Sequence, residues 1–84
     1  MTATESAIRE FMVNEVLYDR DMKDLQPEDP LITRGLLDSL SILKTVTFCE
    51  ERFGISIPDQ EVLPDHFESV RTIAALVDRR RAGT

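Results

Sequence analysis

Residues 21–37 set the tightest limit on what this chain can fold into. They are seventeen residues between two helix-patterned stretches, and their apolar spacing follows neither the helical nor the strand period. Pro27, Pro30 and Gly35 punctuate them, removing backbone donors and permitting a sharp turn. The same residues include Leu25, Leu31, Ile32, Leu36 and Leu37. Structureless connections longer than about 12–15 residues are uncommon in small domains, and five large apolar side chains do not suit a solvated linker. The expectation is a long loop pinned to a core by its leucines, delivering Gly35-Leu36-Leu37-Asp38 to a defined place. A chain of 84 residues has room for one small core, so a single domain is expected over residues 1–84.

On either side the apolar residues recur at helical spacing. Thr2-Ala3-Thr4-Glu5 has the form of a capping box, and Ile8, Phe11, Met12 and Val16 follow, with Leu17 widening the stripe. That predicts a helix over about residues 3–19. A second helix starts at Asp38 or Ser39, with Asp38 as its N-cap, and runs to about Phe53, where Gly54 supplies the left-handed stop. At about 100° per residue, Ile42, Val46, Cys49 and Phe53 share one arc, the expected core face, with Leu43 beside it. Leu40, Lys44, Thr47 and Glu51 form a second stripe nearly opposite, with Phe48 on its edge. Leu40 is then either offered to a partner or covered by the long loop, and Lys44 and Thr47 either select a partner or form a solvated face.

Ile55-Ser56-Ile57-Pro58 reads as a short extended exit. Asp59 to Leu63 and Pro64 to Phe67 allow short helical turns, the latter with proline at its first position. Ser69 can cap a last helix burying Val70, Ile73, Ala74 and Val77 and fraying over about residues 79–84. No run has strand character. The expected fold class is all-α: three main helices plus a short one.

With 42% hydrophobic and 31% charged residues the chain should bury enough surface to fold. The net charge of −6 conceals an asymmetry, because residues 1–78 hold all sixteen acids against seven bases, a balance of −9. Such a surface repels phosphate backbones and anionic lipid heads, so neither nucleic acid nor membrane is an expected partner. The Arg79-Arg80-Arg81 run suits a solvated helix C-terminus. No signal peptide and no stretch of the roughly 18–20 apolar residues that span a bilayer are legible. Cys49 is the sole cysteine. A cytoplasmic monomer is expected, with nothing depending on an oxidising compartment.

Groups able to catalyse a reaction are scarce. His66 is the only histidine, which excludes a histidine-rich metal site, and no metal site is expected. Cys49 lies in the core arc and reads as a small buried hydrophobe. A Ser39–His66–Asp38 triad is conceivable, but Asp38 and Ser39 are sequence neighbours and no oxyanion-hole loop accompanies them. Glu50 and Glu51, and likewise Glu28 and Asp29, are adjacent pairs without the facing geometry of an acid–base pair. The three scattered glycines make no phosphate loop. The chain is expected not to be an enzyme.

What remains is a hydroxyl, Ser39, set on the first turn of a well-formed helix at the end of the long loop. The positive helix end there favours a phosphate. Asp38-Ser39-Leu40, preceded by Gly35-Leu36-Leu37 and followed by Glu50-Glu51-Arg52-Phe53-Gly54-Ile55-Ser56-Ile57-Pro58, resembles the acyl/peptidyl carrier proteins over essentially the whole chain. The resemblance implies a carrier-type four-helix bundle with a long first loop. It implies 4′-phosphopantetheine carried on Ser39, transferred from coenzyme A by a phosphopantetheinyl transferase. Asp38 would stand in the modification motif, where the transferase and its magnesium approach. Leu40 would be a docking contact, with Lys44, Thr47 and Glu51 on the same stripe.

Many fatty-acid carriers have acids two and five residues after the serine, where this chain has Ser41 and Lys44. Leu36-Leu37 before the motif, and Ile57-Pro58-Asp59 continuing to Pro64 and Phe67, are more similar to free-standing carriers of aminoacyl groups in natural-product pathways of the non-ribosomal peptide or polyketide type. The expected partners are the transferase, an adenylating loading enzyme and downstream acyl-processing enzymes. The alternatives are a fatty-acid or polyketide acyl carrier and, in another class, an unmodified helical interaction module. A core lined by Ile42, Val46, Ile73 and Val77 would either open for cargo or stay densely packed.

Overall fold

The computed structural model describes residues 1–82. Helix α1 spans Ala3–Phe11 and continues into a wider, π-helical turn, Met12–Val16. Helix α2 spans Ser39–Phe53 and helix α3 Val70–Ala82, and between them lie 3₁₀ turns at Asp59–Glu61 and Pro64–Phe67. There is no strand among the described residues. The expected short helix is thus two separate turns.

The helix starts follow local rules. At α1 the Thr2 hydroxyl accepts from the Glu5 N–H at 3.0 Å while the Glu5 carboxylate accepts from the Thr2 N–H at 2.9 Å, a complete capping box. At α3 the Ser69 hydroxyl accepts from the Thr72 N–H at 3.1 Å, and the Thr72 hydroxyl accepts from the Ser69 N–H at 3.0 Å. Helix α2 ends on Gly54, whose φ of +65° only glycine adopts without strain.

The expected first helix, to residue 19, ends earlier and for a physical reason. At about 100° per residue Leu17 would lie opposite Ile8. The Leu17 N–H instead donates to the Met12 carbonyl at 2.7 Å, one residue further back than an α-helical bond. That wider turn brings Leu17 round, and it is buried with Ile8 and Met12. Phe11, expected in the core, is only half-buried and stacks on Phe48 of α2 with centroids 4.2 Å apart.

Helix α1 packs most extensively on α3, and α2 covers α3 more thinly. The core joins Ile8, Met12 and Leu17 to Val70, Ile73, Leu76 and Val77, with Phe67 and Cys49 fully enclosed. In α2 the buried arc is turned from the expected one. Leu43 is 57% exposed, while Thr45 is completely buried beside Val46 and Cys49. Its hydroxyl donates to the Ser41 carbonyl at 2.8 Å, which removes the penalty for enclosing a polar group. Thr45 stands three residues after Ile42 and four before Cys49, so its position signalled burial although its chemistry did not.

Helix α3 runs on to Ala82, past the expected fraying point at 79, and residues 83–84 lie outside the described ones. Arg79, Arg80 and Arg81 occupy its last turn, where cations suit the negative helix end. Two of them are also engaged: Arg80 Nε donates to the Ser56 carbonyl at 3.1 Å, and the Arg81 guanidinium sits 5.7 Å from the Phe53 ring centre.

The long loop is pinned as expected. Leu25, Leu31 and Leu37 are buried, and Ile32 and Leu36 are half-buried against the core. Arg9 of α1 holds its start, donating from Nε to the Leu25 carbonyl at 2.7 Å and from a terminal nitrogen to the Lys23 carbonyl. Glu68 holds its end: its carbonyl accepts from the Leu31 N–H at 2.5 Å and its carboxylate from the Thr33 N–H at 3.0 Å. The Arg71 N–H, at the start of α3, donates to the Pro27 carbonyl at 2.8 Å. The loop is therefore fastened to α1 and to the α3 entrance.

Candidate functional site

Ser39 is where the loop hands over to α2. Gly35 takes φ +73°, closing a turn in which the Gly35 N–H reaches the Ile32 carbonyl at 2.9 Å and the Leu36 N–H the Leu31 carbonyl at 2.8 Å. Leu37 then anchors the chain in the core, and Asp38 follows in an extended conformation, φ −114° and ψ −175°. Its carboxylate accepts from the Ser41 N–H at 2.8 Å and its carbonyl from the Ile42 N–H at 2.9 Å. Asp38 is thus the N-cap, as expected. The bond from the Ser41 backbone, more than any other influence, holds the Asp38 carboxyl below its ordinary value.

Ser39 is the first residue of α2 and is exposed. Its hydroxyl makes no hydrogen bond among the described residues. The arrangement fits a phosphodiester: an unengaged hydroxyl, rigid placement, and the positive end of a fifteen-residue helix. Two fixed anchors, Leu37 before it and the capped first turn after it, leave little freedom at Ser39.

The other residues considered for chemistry lie elsewhere. His66 is half-buried on the Pro64–Phe67 turn, with Nδ1 2.7 Å from the Glu61 carbonyl, and no hydrogen bond links it to Ser39. No cluster of His, Cys, Asp and Glu among the described residues is arranged to hold a metal ion. Cys49 is enclosed, and burial pushes its thiol up to about 12, so thiolate is essentially absent at neutral pH. Native protein without a prosthetic arm is therefore expected to give no fast reaction with a thiol-reactive disulfide. Protein bearing a pantetheine thiol should give one equivalent, and unfolding in denaturant should add one to each. A fast-reacting thiol in the unmodified native protein would show that Cys49 is accessible.

Along α2 the structure brings Leu40, Lys44, Thr47 and Glu51 together on the lining of one open groove of about 450 Å³. Leu40 is 64% exposed, so the long loop does not cover it. The groove also takes in Leu43 and Phe48 of α2 and Phe11 and Glu15 from helix 1. Phe48 is expected on the edge of this stripe, whereas Leu43, Phe11 and Glu15 are not expected beside it. The signal for Leu43 was weak, an apolar residue at the margin of the core arc, and for Phe11 and Glu15 there was none, because they lie on another helix.

Comparison with known proteins points to one family. Residues 11–79 match the family model described as "Phosphopantetheine attachment site". The "Probable acyl carrier protein PigG" of a Serratia species is 33% identical over 64 residues, covering 76% of this chain and 74% of that protein. The "Acyl carrier protein" of Acidothermus cellulolyticus is 38% identical over 55 residues, covering 66% of this chain and 60% of that protein. A chain of the solved structure "Crystal structure of FAD-dependent dehydrogenase" superimposes with a TM-score of 0.75 at 37% identity, covering 83% of this chain and 97% of its own length. No described helix is long and apolar enough to cross a membrane.

Proposed function

The chain belongs to the phosphopantetheine-attachment family of acyl carrier proteins, and on that basis we propose that Ser39 is its attachment residue and that its cargo is a small aminoacyl or related acyl unit. Acyl carrier proteins are not catalysts. They bear a covalent 4′-phosphopantetheine, are modified by a phosphopantetheinyl transferase and interact with acyl-processing enzymes. When attached, that group supplies a thiol that holds an acyl unit as a thioester. The observation that carries the Ser39 assignment is its unengaged, exposed hydroxyl on the first turn of α2, at the end of a loop fastened at both ends.

The protein's own residues have limited and specific tasks. The Ser39 oxygen forms a bond to the β-phosphorus of coenzyme A as 3′,5′-ADP leaves, and the hydroxyl proton passes to a base of the transferase. Asp38 keeps the first turn of α2 closed around Ser41 and stands beside the hydroxyl as the acid of the modification motif. Leu40, Lys44, Thr47 and Glu51 offer partner enzymes an apolar contact flanked by charge. Moderate affinity suits this face, since each partner must release the carrier, and tethering supplies a high local concentration of cargo at each docked active site.

Two features support an aminoacyl cargo in a natural-product pathway, loaded by an adenylating enzyme. Ser41 and Lys44 stand where many fatty-acid carriers have acids. The carrier-sized structural relative belongs to a solved structure of an FAD-dependent dehydrogenase, which supports oxidation of the tethered acyl unit as a downstream step.

The test is charging of pantetheine-bearing protein. Free-standing adenylating enzymes given ATP and radiolabelled amino acids are compared with a malonyl transferase given malonyl-coenzyme A. Aminoacylation is expected, and charging with malonyl or long-chain acyl groups alone would overturn the cargo assignment. Leu40→Ala should leave stability within about ±0.5 kcal/mol, as surface changes usually do. It should lower charging kcat/KM about tenfold, corresponding to loss of roughly 1.4 kcal/mol of partner contact. Unchanged kinetics would remove Leu40 from the docking face.

A further inference from the structure

The groove on α2 begins one residue beyond Ser39, at Leu40, and extends to Glu51. At 1.5 Å rise per residue that is a track of about 18 Å from the attachment point, comparable to an extended pantetheine arm. Leu40 and Leu43 come before Lys44 along that track, and Thr47, Phe48 and Glu51 after it. Lys44 stands about 7.5 Å from Ser39 by the same measure. Leu43, Phe48 and the stacked Phe11 make an apolar middle, and the carboxylates of Glu51 and Glu15 complete the lining.

An aminoacyl group on a phosphopantetheine arm offers the complementary set: amide carbonyls for Lys44, an apolar side chain for the leucines and rings, and an ammonium for a carboxylate. Among the described residues the centre of the bundle is closely enclosed. Cys49, Ile73 and Val77 have no exposed surface, and a core packed to that degree admits a side chain only by displacing others.

We propose that this exterior groove, rather than the helix interior, shelters the aminoacyl cargo of the loaded carrier, with the side chain over Leu43, Phe48 and Phe11 and the ammonium against the Glu15 carboxylate. The proposal rests on the aminoacyl function proposed above and adds the site and chemical class of the resting cargo. Each contact is weak, but the tether makes the association intramolecular, so weak contacts suffice to occupy the groove. Because Leu40, Lys44, Thr47 and Glu51 also form the proposed docking face, a docked enzyme and the sheltered cargo compete for one surface. Docking itself then releases the cargo.

The experiment uses the full chain labelled with ¹⁵N and ¹³C. A phosphopantetheinyl transferase loads it with a pantetheine analogue carrying an L-valyl group through a hydrolysis-stable amide, or with the des-amino isostere, a 3-methylbutanoyl group. Relative to protein bearing the bare arm, the valyl form should shift the Leu43 and Glu15 amides and give nuclear Overhauser contacts from the valyl methyls to the Phe11 and Phe48 rings. The shifts should fall at least threefold for the des-amino group and for Glu15→Gln, and the ring contacts should vanish in Leu43→Ser. Shifts confined to residues 38–41, contacts to Ile73 or Val77, or equal effects of the two cargoes would overturn the groove assignment. Intact mass separates the two levels: no added pantetheine on Ser39 defeats the attachment assignment and this proposal with it. A modified Ser39 with a silent groove defeats this proposal alone.

Discussion

Ser39→Ala is expected to abolish modification completely. Incubated with coenzyme A and a promiscuous phosphopantetheinyl transferase, the natural chain should gain the mass of one phosphopantetheine, and the variant should gain none. The contrast is expected to be all-or-none because the other serines offer the transferase no equivalent. Ser69 is buried with its hydroxyl committed to the α3 cap, Ser41 is half-buried with its amide tied to Asp38, Ser6 sits on α1 with no preceding anchored loop or Asp-Ser-Leu motif, and Ser56 lies outside any helix. Folding should be unaffected, since the Ser39 hydroxyl has no partner to lose and alanine is the best helix former. An unfolding midpoint matching the natural chain would exclude misfolding as the cause. Modification of the variant at full rate would reject Ser39 and leave the family without an attachment residue in this chain.

The largest loss of stability is expected from Phe67→Ala. Phe67 has no exposed surface and joins the core from the turn opened by Pro64. Truncating a buried phenylalanine costs about 3–5 kcal/mol from lost transfer energy and the cavity left behind. A domain of this size has in total about 4–13 kcal/mol, at roughly 0.05–0.15 kcal/mol per residue. The variant should therefore lose between about a quarter and all of its stability, read where it still folds as a lower urea midpoint with little change in slope. The damage should reach the site, because the next residue, Glu68, holds Leu31 and Thr33 of the loop that positions Ser39. Phe67→Leu conserves most of the volume and should cost less than about 1.5 kcal/mol. A midpoint for Phe67→Ala equal to the natural chain would mean that the turn does not contribute to the core as described.

Much of the fold was legible because it depends on contacts a few residues apart. The Thr2–Glu5 capping box, the Asp38 and Ser69 caps and the left-handed Gly54 satisfy helix-end groups within one turn. The pinned loop was legible for a related reason: leucines among prolines have no use in a solvated connection, and Leu25, Leu31 and Leu37 are buried. The position of Ser39 at a helix start was legible in the same way, whereas its proposed role came from the resemblance of Asp38-Ser39-Leu40 and its surroundings to the carrier family.

The misjudged features all depend on which surface lies opposite. Leu43 and Thr45 flank the same arc, and α2 turns its threonine side inward because back-bonding to Ser41 leaves no polar penalty. Leu17 reaches the core only through a wide turn that no local preference demanded. Arg80 and Arg81 extend α3 because Ser56 and Phe53 happen to stand beside them.

By itself, then, the sequence determined the helical class, the capped helix starts, the anchored seventeen-residue loop and the placement of Ser39 on the first turn of α2, since these follow from hydrogen-bond and dihedral preferences acting within a turn or two. Only the tertiary structure decided that Leu40 stays open, that Phe11 and Glu15 of helix 1 meet Leu43 and Phe48 of α2, and that these build a groove leading away from Ser39. The physical reason is that burial is a property of two surfaces brought together, and one strand of residue spacing describes only one of them.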